Sequence, residues 1–477
     1  MMPMPSPKHA DTGGGNEQQV VGEVVERARR AQRTFANASQ ERADEAVTAL
    51  AWALYKPENA RMLAELAVKD TGLGNVEDKV TKNQRKTFGT LRDLLRARSV
   101  GVIEEDPALG LVKYAKPVGV VAAVTPSTNP SATPVNKAMM ALKGRNAVIV
   151  SPSPSGMQTT ARTVELMRDA LAAINLPADL VQVLPDASKP LTEALMKAVD
   201  LVVITGSQNN VRAGYGSGTP AIGVGAGNVP VIIDETADFD AAAGKIRDSK
   251  CFDNATSCSS ENSLVILDSV YDQAIAALER AGGWLAPPDQ ARRIQEALFK
   301  GGKLSRDLIA RDAAVFAERV GLPEEAKKAR FFMVEEDGVG KAHPFSGEKL
   351  SLVLAVYRAA DFNAAKDQVR RILDFQGRGH SCGIHTNDMD HARRLAEELE
   401  VVRVLVNFAH TFGNGGGFNS GLNFTLSMGC GTWGRNSITE NLNYRHFLNI
   451  THLVTPIPED KPGEDELFGR HWEKYGK

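Results

Sequence analysis

Cys258 lies in the middle of ten mostly small, polar residues, NATSCSSENS (254–263). Small polar residues pack poorly into a hydrophobic core, and they leave room for a side chain that has to meet a substrate. Cysteine is intrinsically very nucleophilic, so this environment suits covalent catalysis. The alternative is a cysteine in a loop without a catalytic role. Other parts of the chain have to distinguish between these two interpretations.

The other three cysteines fit structural roles. Cys251, the rival nucleophile, lies outside the run of small residues and directly before Phe252-Asp253, which is typical of a packed thiol. Cys382 and Cys430 are interpreted as structural. The chain has no C-x-x-C pair and no H-E-x-x-H spacing among its nine histidines, so no metal site is predicted.

Hydroxyl-bearing segments follow three of the β-branched runs that we expect to form strands. They are TPSTNP (125–130), SPSP (151–154) and TGS (205–207). Ligands of open parallel sheets bind at the carboxyl ends of strands, so these segments suit a nucleotide or another phosphate-rich ligand. Asn129, held between Thr128 and Pro130, is either a rigid amide donor or a turn residue.

A glycine-rich stretch, GYGSGTPAIGVGAGN (214–228), contains neither G-x-G-x-x-G nor the P-loop pattern G-x-x-x-x-G-K-[ST]. It is interpreted as a flexible connection with close backbone packing.

The elements that must position these residues form two α/β series. Helical periodicity over 18–97 is followed by a predicted β-hairpin at 101–117. Five short strands then alternate with helices, and a second such series starts after Cys258, which predicts two parallel sheets covered on both faces. The run HFLNITHLV (446–454) has no following helix and should pair with an element already formed.

The predicted organisation is a disordered leader (1–17), a nucleotide-binding domain (18–235), a catalytic domain (236–430) and a return segment with a strand and tail (431–477). The composition is ordinary for a soluble protein, and the net charge of −2 predicts no general attraction to nucleic acid or membranes. The four cysteines and the absence of an apolar leader favour a cytoplasmic protein.

Seven motifs resemble those of the CoA-acylating branch of the aldehyde dehydrogenase superfamily, and they occur in the same order. They are TPSTNPSATPVNK, NAVIVSPSP, ITGS, FDNATSCSSENS, EKLS (348–351), GRGHS (377–381) and GCGTWGRNSITENLNYRHFLN (429–449). The resemblance covers roughly residues 20 to 450. Within the branch, the last motif is most similar to that of the acylating sulfoacetaldehyde dehydrogenases.

The resemblance implies a non-standard Rossmann sheet, a catalytic domain and a small β element for oligomerisation, made of 101–117 and 446–454. The late strand would extend a neighbouring subunit's sheet. It also implies roles in catalysis for Cys258 as nucleophile and Asn129 as oxyanion donor. The implied cofactor-binding residues are Ser151 and Ser153 near the adenosine ribose, Thr205, Gly206 and Ser207 under the pyrophosphate, and Glu348 at the nicotinamide ribose.

One departure bears on the reaction. Hydrolytic members carry a glutamate that activates water, and the matching position here is Val224. A thiol nucleophile needs less help than water, so the resemblance implies that CoA takes the acyl group. His380 and His410 are open to interpretation as proton carriers, CoA contacts or ordinary polar residues.

The expected activity is therefore oxidation of a small aldehyde, foremost sulfoacetaldehyde, to its acyl-CoA with NADP or NAD. Arg435 is the candidate partner of the sulfonate, with a surface role or a CoA phosphate contact as alternatives. Other possibilities are an acetaldehyde, butyraldehyde or succinic semialdehyde enzyme, a hydrolytic dehydrogenase, or a catalytically silent binding protein. The expected assembly is a homodimer or homotetramer.

Overall fold

A computed structural model describes residues 14–477, so most of the predicted leader (1–17) lies outside the described residues. Its last four residues belong to the first helix. The predicted helical region is confirmed, and a β-hairpin follows it. These elements are α1 Gly14–Phe35, α2 Gln40–Tyr55, α3 Pro57–Thr71, α4 Val76–Leu95, β1 Gly101–Asp106 and β2 Leu111–Pro117.

The first large sheet has five parallel strands in the order β5-β4-β3-β6-β7. Its central strands are fully buried runs of valine, isoleucine and alanine, as expected when helices cover both faces. One strand, β7, comes from the stretch interpreted as a flexible connection. The elements are β3 Val120–Val124, α5 Ala132–Lys143, β4 Ala147–Ser151, α6 Met157–Ala173, β5 Val181–Val183, α7 Lys189–Ala198, β6 Leu201–Thr205, α8 Gln208–Tyr215 and β7 Ala221–Val224.

The second sheet has seven parallel strands in the order β10-β13-β14-β9-β8-β15-β16, with a hydrophobic core of its own. Its strands are β8 Val229–Ile233, β9 Glu261–Leu267, β10 Gly283–Leu285, β13 Phe331–Glu335, β14 Val353–Ala359, β15 Cys382–His385 and β16 Val404–Val406. A two-stranded hairpin, β11 Phe299–Lys300 with β12 Lys303–Leu304, lies beside it. The helices are α9 Phe239–Cys251, α10 Tyr271–Arg280, α11 Pro288–Leu298, α12 Ala313–Val320, α13 Phe362–Phe375, α14 Met389–Glu398 and α15 His410–Asn414.

Strand β8 corrects the predicted domain boundary at 235. It pairs with β9 and β15 and belongs to the second sheet, so the change of sheet occurs between β7 and β8. The sheet to which β8 belongs could not be predicted from the sequence, because a buried strand has the same β-branched composition in either sheet.

The third sheet is small and antiparallel, in the order β1-β2-β17, where β17 is Leu448–Val454. The late strand thus pairs with the hairpin of its own chain. The segment after Pro456, expected to be an irregular tail, contains an exposed helix, α16 Glu464–Tyr475. Among the described residues, no helix has the length and apolar character needed to cross a membrane.

The two large sheets face each other end to end. The loops after β3, β6 and β7 leave the carboxyl ends of the first sheet, and the loops before β8, β9 and β14 enter the amino ends of the second. Residues from both groups of loops line one cavity.

Candidate active site

A cavity of about 290 Å³ lies between the sheets, and α4 and the segment after α15 close its sides. It brings together six of the residues singled out from the sequence. These are Cys258, Asn129, Thr205, Gly206, Ser207 and Glu348.

Cys258 follows an unusual backbone turn. Asp253, Asn254 and Ala255 all have positive φ angles, between 50° and 60°. Non-glycine residues rarely adopt this conformation, and three in succession require tertiary contacts to hold them. The turn ends just before Cys258, whose backbone N–H makes no hydrogen bond to another described residue. That N–H is therefore available to a ligand.

The Asp253 carboxylate supplies many of those contacts. It accepts hydrogen bonds from the Asn75 N–H at the start of α4 (3.1 Å), from Lys79 Nζ (3.0 Å) and from Lys82 Nζ. Thr256 also donates its hydroxyl to it. Despite complete burial, the two lysines hold the pKa of Asp253 below its usual value. This buried network fastens α4 to the turn before the nucleophile.

The Cys258 side chain is partly exposed in the cavity. Burial raises the pKa of its thiol to about 12, and the nearby Glu348 acts in the same direction. Arg403 and a hydrogen bond with Ser259 oppose that shift. The thiol is thus mostly protonated in the free protein, and further positive charge or a proton acceptor would favour the thiolate.

Asn129 lies in the loop after β3, where its backbone carbonyl accepts the Thr133 N–H near the start of α5. Its side-chain Nδ2 donates a long hydrogen bond of 3.3 Å to Thr128 Oγ1. The second Nδ2 proton has no partner among the described residues. The amide can therefore donate to an oxygen held in the cavity.

Glu348 reaches the cavity from the loop before β14 and is the only carboxylate among the described residues that line it. Burial raises its pKa to about 8, although a hydrogen bond from the Gly227 N–H opposes the shift. Val224, by contrast, is a buried side chain at the end of β7 and offers no carboxylate.

Thr205, Gly206 and Ser207 form the end of β6 and the start of α8. The Ser207 side chain caps α8 by accepting the Asn210 N–H at 3.3 Å. Gly206 has a φ of 153° and open space where a Cβ would lie. A helix N-terminus and a bare backbone suit the approach of a phosphate group.

Ser151, the last residue of β4, and Ser153, in the loop after it, do not line this cavity. Ser151 is fully buried, and its hydroxyl is hydrogen-bonded to Thr192 Oγ1 at 2.8 Å, so it has no free donor for a ribose. The structure therefore does not present the Ser151 hydroxyl to a ligand. Ser153 is partly exposed, but its Oγ is buried and has no hydrogen-bond partner among the described residues.

Arg435 is also not brought to the cavity. It is an exposed residue in a left-handed conformation after a short helical turn, and it is absent from the cavity lining. The structure therefore does not bring Arg435 together with the other candidate residues. The position of Arg435 in the sequence, two residues after Trp433, does not predict the direction in which the turn points its side chain.

The remaining cysteines and histidines are set back from the cavity. Cys251 ends α9, its thiol faces the Arg330 carbonyl, and burial raises its pKa to about 11. His380 is buried close to the Cys258 carbonyl across Gly227, and its Nε2 has no partner among the described residues. His410 donates from Nδ1 to the Ser259 carbonyl, and burial lowers its pKa to about 3.

Comparison with known proteins agrees with this geometry. The model of the aldehyde dehydrogenase family matches residues 6–285, which is more than half of the chain. The chain belongs to the aldehyde dehydrogenase family.

Two similar members of the family are acylating sulfoacetaldehyde dehydrogenases. The one from Cupriavidus necator is 52% identical over 96% of this chain and 94% of its own length. The one from Bilophila wadsworthia is 42% identical over 96% and 99%, respectively.

Solved structures of the family have the same fold. An acetylating aldehyde dehydrogenase from Geobacillus thermoglucosidasius has a TM-score of 0.90 at 32% identity, covering 95% of this chain and 100% of its own. A propionaldehyde dehydrogenase from Rhodopseudomonas palustris, with bound CoA and an acylated cysteine, has a TM-score of 0.81 at 25% identity, covering 91% and 97%. An engineered glycolyl-CoA reductase with bound NADP+ has the same score and identity, covering 91% and 96%.

One wall of this aldehyde dehydrogenase's cavity was not predicted from the sequence. Lys82, Arg85 and Lys86 of α4 line it together with Thr411 near the start of α15. The signal was the spacing of three cations at i, i+3 and i+4, which places them on one helix face. Such a face is usually solvated, and only the tertiary structure reveals that this one is turned inwards.

Proposed function

We propose that this chain is an NAD(P)-dependent, CoA-acylating aldehyde dehydrogenase whose aldehyde is sulfoacetaldehyde. The observation that carries the proposal is the cavity that joins Cys258 and Asn129 while the position of the water-activating carboxylate is held by Val224. Both sulfoacetaldehyde dehydrogenases described above are acylating enzymes, and their similarity extends over nearly the whole chain.

Cys258 is the proposed nucleophile. Its thiolate attacks the aldehyde carbonyl carbon, and the carbonyl oxygen becomes negatively charged. The Cys258 N–H and the Asn129 amide are both free to donate to that oxygen. Each such donor is worth about 3–4 kcal/mol in typical enzymes. In the thiohemiacetal so formed, the former aldehyde carbon carries the hydrogen that leaves as hydride.

The residues around the cavity fit a nicotinamide dinucleotide. Such a cofactor would supply the hydride acceptor for the former aldehyde carbon. The N-terminus of α8, with Gly206 and Ser207, is suited to hold the pyrophosphate, and Glu348 is placed to contact a ribose. The segment SPSP (151–154) carries no acidic side chain that would repel a 2′-phosphate, which favours NADP slightly over NAD.

Loss of the hydride leaves an acyl thioester on Cys258. The CoA thiol attacks its carbonyl carbon, the bond to Cys258 Sγ breaks, and acyl-CoA leaves. Water would need a carboxylate base, but Glu348, with its pKa raised to about 8, is mainly protonated at neutral pH. CoA needs less activation than water, so the missing base favours thiolysis.

The test is product formation by the purified full-length chain. Sulfoacetaldehyde, acetaldehyde, butyraldehyde and succinic semialdehyde are each supplied with NADP or NAD, with and without CoA. We expect sulfoacetaldehyde to have the highest kcat/KM, with acyl-CoA as the product. Free acid in the absence of CoA would indicate a hydrolytic enzyme, and the absence of both NAD(P)H and Cys258 labelling would indicate a silent binding protein.

We further propose that the chain forms a homodimer or homotetramer through the small sheet. Strand β17 is an edge strand whose side chains are mostly exposed, including Ile450, Leu453 and Val454. An exposed apolar edge strand of this kind can pair with a strand of another subunit. Light scattering of the purified chain and of a Leu453→Lys variant tests this assembly.

A cytoplasmic location is also proposed. Its support is the chemistry of the cysteines, because all four are free thiols, as is usual in a reducing compartment. Fractionation of cells that express the chain tests this location.

A further inference from the structure

The wall that α4 contributes to the cavity is strongly cationic. Lys82, Arg85 and Lys86 all line it, and Glu348 is the only lining residue among those described that could carry an opposing carboxylate charge. Of these cations, Lys82 is already neutralised, because its ammonium group is paired with the buried Asp253 and donates to Thr256. Arg85 and Lys86 have no such partner within residues 14–477. The wall therefore holds positive charge that this part of the chain does not balance.

Lys86 is held in place without a carboxylate. Its Nζ donates one hydrogen bond, of 2.8 Å, to the Gly415 carbonyl, and it makes no ion pair with a described residue. An ammonium group has three donors, so two are left for a ligand. Its charge lies close enough to Cys258 for the two groups to influence each other electrostatically. An anion bound at Lys86 would thus lie near the nucleophile.

Arg85 is fixed by aromatic contacts. Its guanidinium lies 5.1–5.7 Å from the ring centres of Phe412, Phe418 and Phe424, which is within the range of cation–π interactions. It donates no hydrogen bond to a described residue, so its planar set of N–H donors is unused. An arginine held rigidly with free donors is well suited to bind two oxygens of one anion.

Thr411 supplies a further donor. Thr411 is buried and lines the cavity, but its Oγ1 has no hydrogen-bond partner among the described residues. A buried hydroxyl without a partner costs free energy, and a ligand that accepts its proton would remove that cost.

We propose that Lys86, Arg85 and Thr411 form the subsite that binds the sulfonate of the substrate. This inference rests on the proposed function and replaces Arg435 as the sulfonate partner. A sulfonate has three acceptor oxygens and a permanent negative charge, and the subsite offers two cations and a hydroxyl. Binding there directs the two-carbon chain towards Cys258, so that the carbonyl carbon meets the thiolate.

The test compares four variants with the wild-type chain: Lys86→Gln, Arg85→Gln, Thr411→Val and, as a control, Arg435→Gln. The measured quantity is the ratio of kcat/KM for sulfoacetaldehyde to kcat/KM for acetaldehyde, which has no sulfonate. We expect this ratio to fall about tenfold to a hundredfold for Lys86→Gln and Arg85→Gln, because a charge-assisted hydrogen bond is lost. Thr411→Val should lower it several-fold, and Arg435→Gln should leave it unchanged.

Three results would overturn the subsite. The ratio could stay constant in the Lys86 and Arg85 variants, or Arg435→Gln alone could lower it. The variants could instead raise only the KM for CoA, which would make this wall a CoA contact.

A second measurement separates failure of the subsite from failure of the proposed function. Ethanesulfonate is tested as a competitive inhibitor of whichever aldehyde the wild-type chain oxidises. If sulfoacetaldehyde is not a substrate but ethanesulfonate inhibits the wild type and not Lys86→Gln, the proposed function is wrong and the anion subsite stands. If ethanesulfonate inhibits neither, or inhibits both equally, the subsite is rejected.

Discussion

Lys82 and Asp253 form a buried ion pair that joins α4 to the turn preceding Cys258. The helix that carries the cations of the cavity wall and the loop that carries the nucleophile are therefore held at a fixed distance. The same carboxylate also accepts hydrogen bonds from Lys79 and from the Asn75 N–H at the start of α4. One aspartate thus connects the proposed anion subsite with the proposed nucleophile.

Replacement of Asp253 by asparagine should strongly destabilise the protein. The substitution leaves Lys79 and Lys82 buried without a counter-charge, and breaking a buried pair in this way costs about 3–5 kcal/mol. Denaturant unfolding of Asp253→Asn should show a clearly lower midpoint. As a control, Glu77→Gln, which removes an exposed pair with Arg61, should have little effect. Equal midpoints for Asp253→Asn and the wild type would mean that the network does not hold the turn.

The two neighbouring cysteines should respond differently to substitution. Cys258→Ala should abolish aldehyde oxidation and leave cofactor binding nearly unchanged, because only the attacking thiol is lost. Cys251→Ala should keep most of the activity, since its thiol faces the Arg330 carbonyl outside the cavity. NADPH formation and binding of the oxidised cofactor are the measurements. The reverse pattern would assign the nucleophile to Cys251.

Asn129→Ala should lower kcat by roughly 10²–10³-fold, as expected when one donor to a developing oxyanion is removed. KM should change less, because the amide is needed mainly when the oxygen becomes charged. Thr128→Val, which removes only the acceptor of the long Asn129 hydrogen bond, is the control and should have a much smaller effect. A loss of tenfold or less for Asn129→Ala would exclude it from the oxyanion site.

Much of the fold follows from local sequence patterns. The buried strands β3, β4 and β9 are continuous β-branched and apolar runs, and the predicted hairpin is present at 101–117. Strand β7 was missed because glycine and proline dominate its surroundings, and such residues favour turns.

The site residues in loops that follow strands could be predicted from the sequence, whereas the turn before Cys258 could not. Asn129 and Thr205 lie where the carboxyl ends of β3 and β6 meet the cavity, as parallel sheets require. Asp253 and Asn254 are residue types that tolerate the left-handed conformation, but their presence does not predict three left-handed residues in succession. Their geometry depends on contacts with α4, which lies about 170 positions away in the sequence.

The pKa of Lys86 predicts how the preference for a sulfonated aldehyde depends on pH. Burial, together with the neighbouring Arg85 and Lys82, lowers its pKa to about 7 in the free protein, whereas Cys258 opposes the shift. The protonated form is the one that attracts a sulfonate, so this attraction is fully present below pH 7 and is lost as the pH rises above it. A bound sulfonate in turn raises the pKa of Lys86.

The kcat/KM ratio of sulfoacetaldehyde to acetaldehyde should therefore fall at least about fivefold between pH 6.5 and 8.5, as the protonated fraction of a group with this pKa decreases. Ionisation of Cys258 affects both aldehydes and cancels in the ratio. Lys86→Arg keeps its charge throughout this range, so its ratio should be nearly independent of pH. A wild-type ratio that is as flat as that of Lys86→Arg would show that Lys86 is not the titrating partner of the sulfonate.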